Sequence, residues 1–209
     1  MRLAMGSWGR PLVVQVDNGS PWGSWSDLPP PLALWLIGLG LRVRWIPPRR
    51  PQNNGVVERT HGVTQGWVDP GQCTSVEEVQ QRADREDLVQ RELYPHEGDL
   101  SRMQVYPGLK HSGRPYDEEW ERANWSWQRV LDYLGEYAVD RKVDSSGKVG
   151  LYHDKVYVGV ALRGRQVIVQ FDPQAAQWVV VDAEGRELTR RPLTQFGPAS
   201  LLDLGLIRH

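Results

Sequence analysis

Two carboxylates occupy sequence positions that suit metal-dependent chemistry. Asp17 ends a short apolar segment, 12–16, and opens an Asp-Asn-Gly turn sequence. Glu58 follows a proline-rich segment and lies in a predicted helix that begins near Asn53 or Asn54. A carboxylate at a strand end and another on a following helix can hold a divalent cation between them, and Mg²⁺ prefers such hard oxygen ligands. Two ions held in this way activate the attacking oxygen and stabilise the leaving oxygen in phosphoryl transfer.

The segment between these carboxylates is predicted to contain a helix and a strand. Residues 12–16 are rich in β-branched side chains and precede a turn signal, which indicates a first strand. Prolines precede the apolar segment 32–39 and suit the start of a helix. Over 41–46 apolar residues alternate with arginine, as in a half-buried edge strand. The 40 residues between Asp17 and Glu58 therefore accommodate a strand-to-strand crossover.

The rest of the chain is predicted to be helical first and then all-β. Ser75 followed by carboxylates predicts the start of a helix that extends to residue 92. Prolines and glycines over 94–116 indicate a linker, and a second helix is predicted over 117–133, with Trp120 and Trp127 on one face. Short segments separated by turn residues predict a small barrel of five or six strands on an SH3-like plan. The candidate strands are 137–143, 149–152, 155–160, 166–171, 177–181 and 186–189.

Composition excludes several classes of protein. The chain has 209 residues, 40% of them hydrophobic and 24% charged, and its formal net charge of −1 gives no overall basic field for nucleic acid. Cys73 is the only cysteine, which excludes an intramolecular disulfide and a cysteine-based zinc cluster. The five histidines lack metal-ligand spacing. No signal peptide or membrane-length apolar segment is recognisable, so we expect a cytoplasmic protein with no membrane partner.

Two segments resemble the active-site motifs of the DDE transposase and retroviral-type integrase core. Asp17-Asn18-Gly19-Ser20-Pro21 is similar to the motif of the family's second Asp, and Pro48 to Arg59 is similar to the motif of its Glu. The resemblance covers about residues 8–72 and implies an α/β layer of the ribonuclease-H-like kind. It also implies that Asp17 and Glu58 are catalytic and that both are ligands of Mg²⁺ or Mn²⁺.

The resemblance implies partners as well as chemistry. The nucleic-acid partner would be DNA, both the ends of a mobile element and its target. The implied DNA contacts are Arg49, Arg50, Asn54 and Arg59. The expected protein partners are further copies of the chain or intact transposase subunits.

The run from Arg141 to Leu188 resembles the small barrel that follows the catalytic core in several integrases and phage-type transposases. Such barrels bind DNA ends or neighbouring subunits. Six basic residues of this run are candidates for phosphate contacts, and the alternative is that they are ordinary solvent-facing strand residues. They are Arg141, Lys142, Lys148, Lys155, Arg163 and Arg165.

Three departures from the family pattern shape the functional expectation. The 16 residues before Asp17 contain no Asp or Glu, although the family has a first catalytic Asp on an upstream strand. Gln65 stands where the family often has a DNA-contacting lysine. The family's N-terminal DNA-recognition domain is not represented in the chain. We therefore expect a C-terminal fragment of a DDE integrase or transposase that is inactive by itself, although the intact parent performs metal-dependent strand transfer in DNA integration.

Two other interpretations remain open. A remnant without catalytic activity could bind DNA or intact transposase subunits through the barrel and the connector helix. A decayed reading frame whose product does not fold is the third interpretation. The predicted organisation is a partial integrase core at 1–72, a helical connector at 73–136, a β-barrel at 137–195 and a tail at 196–209.

Overall fold

A computed structural model describes residues 1–19, 22, 28–47, 55–152 and 154–204. For residues 56–58 it describes the backbone and not the side chains. The chain forms two compact units. Unit 1 consists of Met1–Pro11 and Ile46–Glu118, and unit 2 consists of Leu12–Trp45 and Glu119–His209. The units are interleaved along the chain, whereas the sequence predicted four consecutive segments.

The described residues form helices and strands in the following order. The helices are α1 Arg2–Trp8, α2 Pro31–Gly38, α3 Gly55–Val68, α4 Val76–Leu88, α5 Arg102–Val105, α6 Glu118–Asn124, α7 Trp127–Gly135 and α8 Pro198–Leu202. The strands are β1 Val13–Val16, β2 Arg42–Trp45, β3 Pro95–Glu97, β4 Leu100–Ser101, β5 Ala138–Lys142, β6 Lys148–Leu151, β7 Asp154–Tyr157, β8 Gln166–Asp172, β9 Gln177–Val181 and β10 Glu187–Pro192. A π-helical turn, Val89–Leu93, follows α4, and 3₁₀ turns occupy Pro70–Gln72 and Val160–Leu162.

Unit 2 begins with a parallel strand pair joined by α2. β1 and β2 pair in parallel from Val13 opposite Arg42 to Val16 opposite Trp45. In β2 the arginines are exposed and the apolar residues half-buried, which confirms the predicted alternation. Pro31 occupies the first turn of α2, where a missing N–H costs no hydrogen bond. Strand, helix and strand are therefore confirmed at the predicted positions.

The second part of unit 2 is antiparallel. Four strands form one sheet in the order β10-β9-β8-β5, and β6 and β7 form a separate hairpin. Inward residues of β8 alternate with outward ones, since Val167, Val169 and Phe171 are buried. All six predicted strands are confirmed within a few residues of their predicted limits. Hydrogen bonding in the described residues groups these six strands into one four-stranded sheet and one two-stranded hairpin.

The second predicted helix, 117–133, is in fact two helices. α6 ends at Asn124, and Ser126 caps α7 by accepting a hydrogen bond from the backbone N–H of Arg129. Ser126 and Arg129 also donate to the carbonyl oxygen of Gly38 at 2.9 and 3.0 Å, which satisfies the C-terminus of α2. The predicted face shared by Trp120 and Trp127 was wrong, because these residues lie on different helices.

Unit 1 contains elements that the sequence did not predict. α1 was not expected, and the segment predicted as a linker holds the β3–β4 pair and α5. The helix predicted from Ser75 is confirmed, with Ser75 as its N-cap, but its last turn widens into the π-helical turn. Among the described residues, none of the helices has the length and apolarity to cross a membrane.

Gly38 is required by the close approach of α2 to Trp125. A Cβ added at Gly38 would overlap the Trp125 indole, which is itself fixed because its Nε1 donates to the Trp35 carbonyl oxygen at 3.1 Å. Gly38→Ala is therefore expected to lower the free energy of unfolding by about 1–3 kcal/mol through overpacking. The measurement is chemical denaturation. Gly150→Ala is the control, since nothing lies within 4 Å of its added Cβ, and an equal loss for both variants would contradict the packing argument.

Candidate metal and nucleic-acid sites

Asp17 lies directly after β1, in an exposed turn that the structure holds in place. Its Oδ1 accepts a hydrogen bond from the backbone N–H of Gly19 at 3.0 Å. Gly19 in turn accepts from the backbone N–H of Trp22 at 2.8 Å, and the Trp22 carbonyl oxygen accepts from the Trp45 indole at 2.9 Å. The turn is thus anchored to the last residue of β2, and the Asp17 carboxylate is presented to solvent from a fixed strand end.

The other predicted site residues lie in or near α3. Glu58 belongs to the first turn of α3, as the sequence predicted, and its side chain lies outside the described residues. Arg49, Arg50 and Asn54 lie outside the described residues as well. Arg59 is exposed on α3. Asp17 belongs to unit 2 and Glu58 to unit 1, so each is described within its own unit.

The donor chemistry at Asp17 fits a hard divalent cation. An exposed carboxylate with one oxygen held by a backbone N–H keeps its other oxygen available as a ligand. In the described part of the chain, no three His, Cys, Asp or Glu side chains come together as a possible metal cluster. Asp17 therefore offers a cation a single carboxylate among the described residues.

A groove in unit 1 adjoins Arg59, and we call it the Arg59 groove. Its volume is about 360 Å³. The lining residues are Arg59, Thr60, Val63, Trp67, Gln90, Tyr94, Pro95, His96 and Arg102. Among the residues that the structure describes, this lining contains two arginines and no carboxylate. The sequence motifs predicted only Arg59 as a site residue here, although the spacing of 59, 63 and 67 places three of the lining residues on one helical face.

The basic residues of 141–165 that are candidates for phosphate contacts differ in the interactions that they make within the fold. Lys155 forms an ion pair with Asp144 at 2.9 Å, and Arg141 donates to the Gly150 carbonyl oxygen at 3.2 Å. Lys142, Arg163 and Arg165 are exposed and lie at one end of the β5–β8 ladder, where the backbones of Val143 and Arg165 are hydrogen-bonded. Lys155 and Arg141 therefore hold the fold, while the ladder-end residues are the better candidates for phosphate contacts.

No known protein-family model matches this chain. The resemblance to the DDE transposase and integrase core consequently stays a prediction from the sequence motifs around Asp17 and Glu58.

Asp144 organises the turn between β5 and β6, and its interactions make the stability of the fold depend on pH. Its Oδ1 accepts from the Ser146 hydroxyl at 2.7 Å and from the backbone N–H groups of Ser146 and Lys148. These hydrogen bonds, with the Lys155 ion pair, hold the pKa of the Asp144 carboxyl well below its usual range. A lowered folded-state pKa stabilises the fold above the ordinary aspartate pKa of about 3.9, and this contribution is lost as the pH falls below it.

Asp144→Asn is therefore expected to lower the denaturation midpoint at neutral pH and to have less effect below about pH 4. The measurement is the denaturant midpoint of both proteins across the acid range. Lys155→Met should reproduce part of the neutral-pH loss, because it removes the same ion pair. A midpoint difference that is constant with pH would contradict the assignment.

Proposed function

We propose that this chain supplies the second and third carboxylates, Asp17 and Glu58, of a DDE-type polynucleotidyl transferase site, and that it acts in DNA integration. The observation that carries the proposal is the order of elements. Asp17 directly follows β1, which pairs in parallel with β2, and β2 precedes the helix that bears Glu58. Carboxylates at the C-terminal edge of parallel strands are the common position for sites in open α/β sheets.

The edge of β1 that faces away from β2 supports the proposal that a further strand pairs with β1. β2 is the strand that pairs with β1 in the described residues, so the other edge of β1 has no strand partner there. Leu12, which leads into β1, is 65% exposed, and Val13 is also exposed. An apolar strand with an open edge is unfavourable in water and favours pairing with another strand. A strand bearing the family's first Asp would fill that place and complete the set of ligands.

Each predicted site residue has a defined part in such a site. Asp17 would bind a divalent cation through the carboxylate that the Gly19 N–H orients. When bound, Mg²⁺ or Mn²⁺ stabilises charge on the attacking and leaving oxygens of the phosphodiester. Arg59 would pair with a DNA phosphate, as would Arg49, Arg50 and Asn54 in the preceding segment. A cytoplasmic setting agrees with Cys73 as a free thiol.

A second candidate function is binding without catalysis. It is favoured by the exposed basic residues at the end of the β5–β8 ladder, which could hold DNA or an intact transposase subunit. Under this alternative, DNA affinity depends on salt and is unchanged by Asp17→Asn. Lys142→Ala combined with Arg165→Ala would then weaken binding.

The test of the proposed metal site uses Mn²⁺ as the probe. Paramagnetic broadening should be strongest at the backbone amides of the Asp17 turn, because an ion on that carboxylate lies beside them. Asp17→Asn should abolish this broadening, since the neutral amide removes the anionic ligand. Asp99→Asn is the matched control, because Asp99 is also exposed in a turn.

Broadening that persists in Asp17→Asn would contradict the metal site. A DNA-joining assay with the purified chain separates the remaining possibilities. We expect no joining by the chain alone, because Asp17 and Glu58 do not include the family's first Asp. Mg²⁺-dependent joining that disappears in Asp17→Asn would overturn that expectation.

A further inference from the structure

We infer that the Arg59 groove binds one unpaired nucleotide of a nucleic-acid strand, with its phosphate at the arginines and its base against Trp67 and Tyr94. The inference rests on the proposed function, because it names the form of nucleic acid that unit 1 takes. It adds a binding site in unit 1, whereas the Asp17 turn belongs to unit 2.

The first argument is the charge of the groove. Arg59 and Arg102 both line it, and neither has a carboxylate partner among the side chains that the structure describes. Several other arginines form ion pairs, for example Arg82 with Glu78 at 2.7 Å and Arg190 with Asp172 at 2.7 Å. Two guanidinium groups that have no carboxylate partner among the described side chains form a local site for an anion, although the net charge of the chain is −1. Phosphate is the anion whose geometry suits an arginine fork.

The second argument is the exposure of aromatic rings in the same groove. Trp67 is 47% exposed and Tyr94 is 54% exposed, although burial of both rings would be favourable. Their ring centroids lie 5.7 Å apart in an edge-to-face arrangement, so one ring supports the other. Aromatic side chains beside a basic groove are the features on which single-stranded bases stack. Bases in a duplex are already stacked and cannot use them.

The third argument is the rigidity of the groove wall. The π-helical turn carries Gln90 and delivers the chain to Tyr94, and such turns often occur at functional sites. Gln90 is 8% exposed, and its side-chain amide donates to the buried carboxylate of Glu86. The side-chain carbonyl oxygen of Gln90 is the hydrogen-bond acceptor of that amide group. Arg102 also lines the groove, and it begins α5, which Ser101 caps through a capping box with Gln104.

A second groove continues the site within unit 1. It has a volume of about 490 Å³ and shares Thr60, Gln90 and Arg102 with the Arg59 groove. Its lining adds Trp8, Arg91 and the acidic Asp87, and the Arg91 guanidinium lies 4.1 Å from the centre of the Trp8 ring. Arginines and aromatic rings thus line both grooves, which fits a strand longer than one nucleotide.

The test is fluorescence anisotropy with a labelled single-stranded deoxyoligonucleotide of about 12 nucleotides. The buffer contains EDTA, so that no metal at Asp17 contributes. Trp67→Leu should weaken binding roughly tenfold, because a stacking ring is lost, while Trp67→Phe should retain most of the affinity. Arg59→Ala should weaken binding and reduce its salt dependence by about one phosphate contact.

Three controls make the outcome decisive. Arg85→Ala removes an exposed charge in unit 1 that does not line either groove, and it should leave affinity unchanged. Thermal unfolding of each variant verifies that the fold is retained. The matching duplex should bind more weakly than the single strand and should not respond to Trp67→Leu.

Unchanged single-strand affinity in Trp67→Leu would overturn the inference, as would an equal loss in Arg85→Ala. Competition by a free nucleoside monophosphate at the same concentration as the oligonucleotide would assign the groove to small nucleotides and overturn the assignment to a strand. Asp17→Asn should bind the strand normally in this assay. Failure of the metal site and failure of the groove are therefore separate results.

Discussion

Unit 2 depends on the burial of α2, a helix that is apolar on nearly every face. All residues from Ala33 to Gly38 are buried. Burial at this level forces the polar groups on neighbouring elements to pair. The Trp35 indole donates to the buried carboxylate of Glu121 at 2.7 Å, and an unpaired carboxylate there would be costly. The packing of α2 fixes the crossover from β1 to β2, and it therefore fixes the strand end where Asp17 lies.

Charge pairing separates the arginines that maintain the fold from those available to a ligand. Arg186 forms an ion pair with Asp182 in the turn between β9 and β10, and Arg190 on β10 forms one with Asp172 at the end of β8. Such exposed pairs contribute little stability individually, but they occupy the guanidinium groups. Arg59 and Arg102 line a groove whose described lining residues include no acidic side chain, so their charge remains for an anion. A near-zero net charge is thus compatible with local binding of phosphate.

Local sequence patterns correctly predicted those helices and strands that depend on local sequence alone. Alternation predicted β2 and β8, and Ser75 followed by carboxylates predicted the start of α4. The break at Ser126 was missed because the flanking segments are both helical in pattern, and the break is set by contacts with the distant Gly38. The position of Asp17 at a strand end was predictable from its turn sequence. The Arg59 groove was not, since it joins residues of α3 to residues 90–102, and no local pattern reports that contact.

The interleaving of the two units has a consequence for how the protein is made. Leu34 and Ile37 of α2 share one core with Val130 and Leu201, which the ribosome adds only after all of unit 1. Until then the nascent chain carries an apolar helix whose partners do not yet exist. Contacts of such long sequence separation form slowly, and exposed apolar surface during synthesis promotes aggregation. Unit 1 has most of its chain available earlier, so chaperone dependence should be concentrated in the first strands and helix of unit 2.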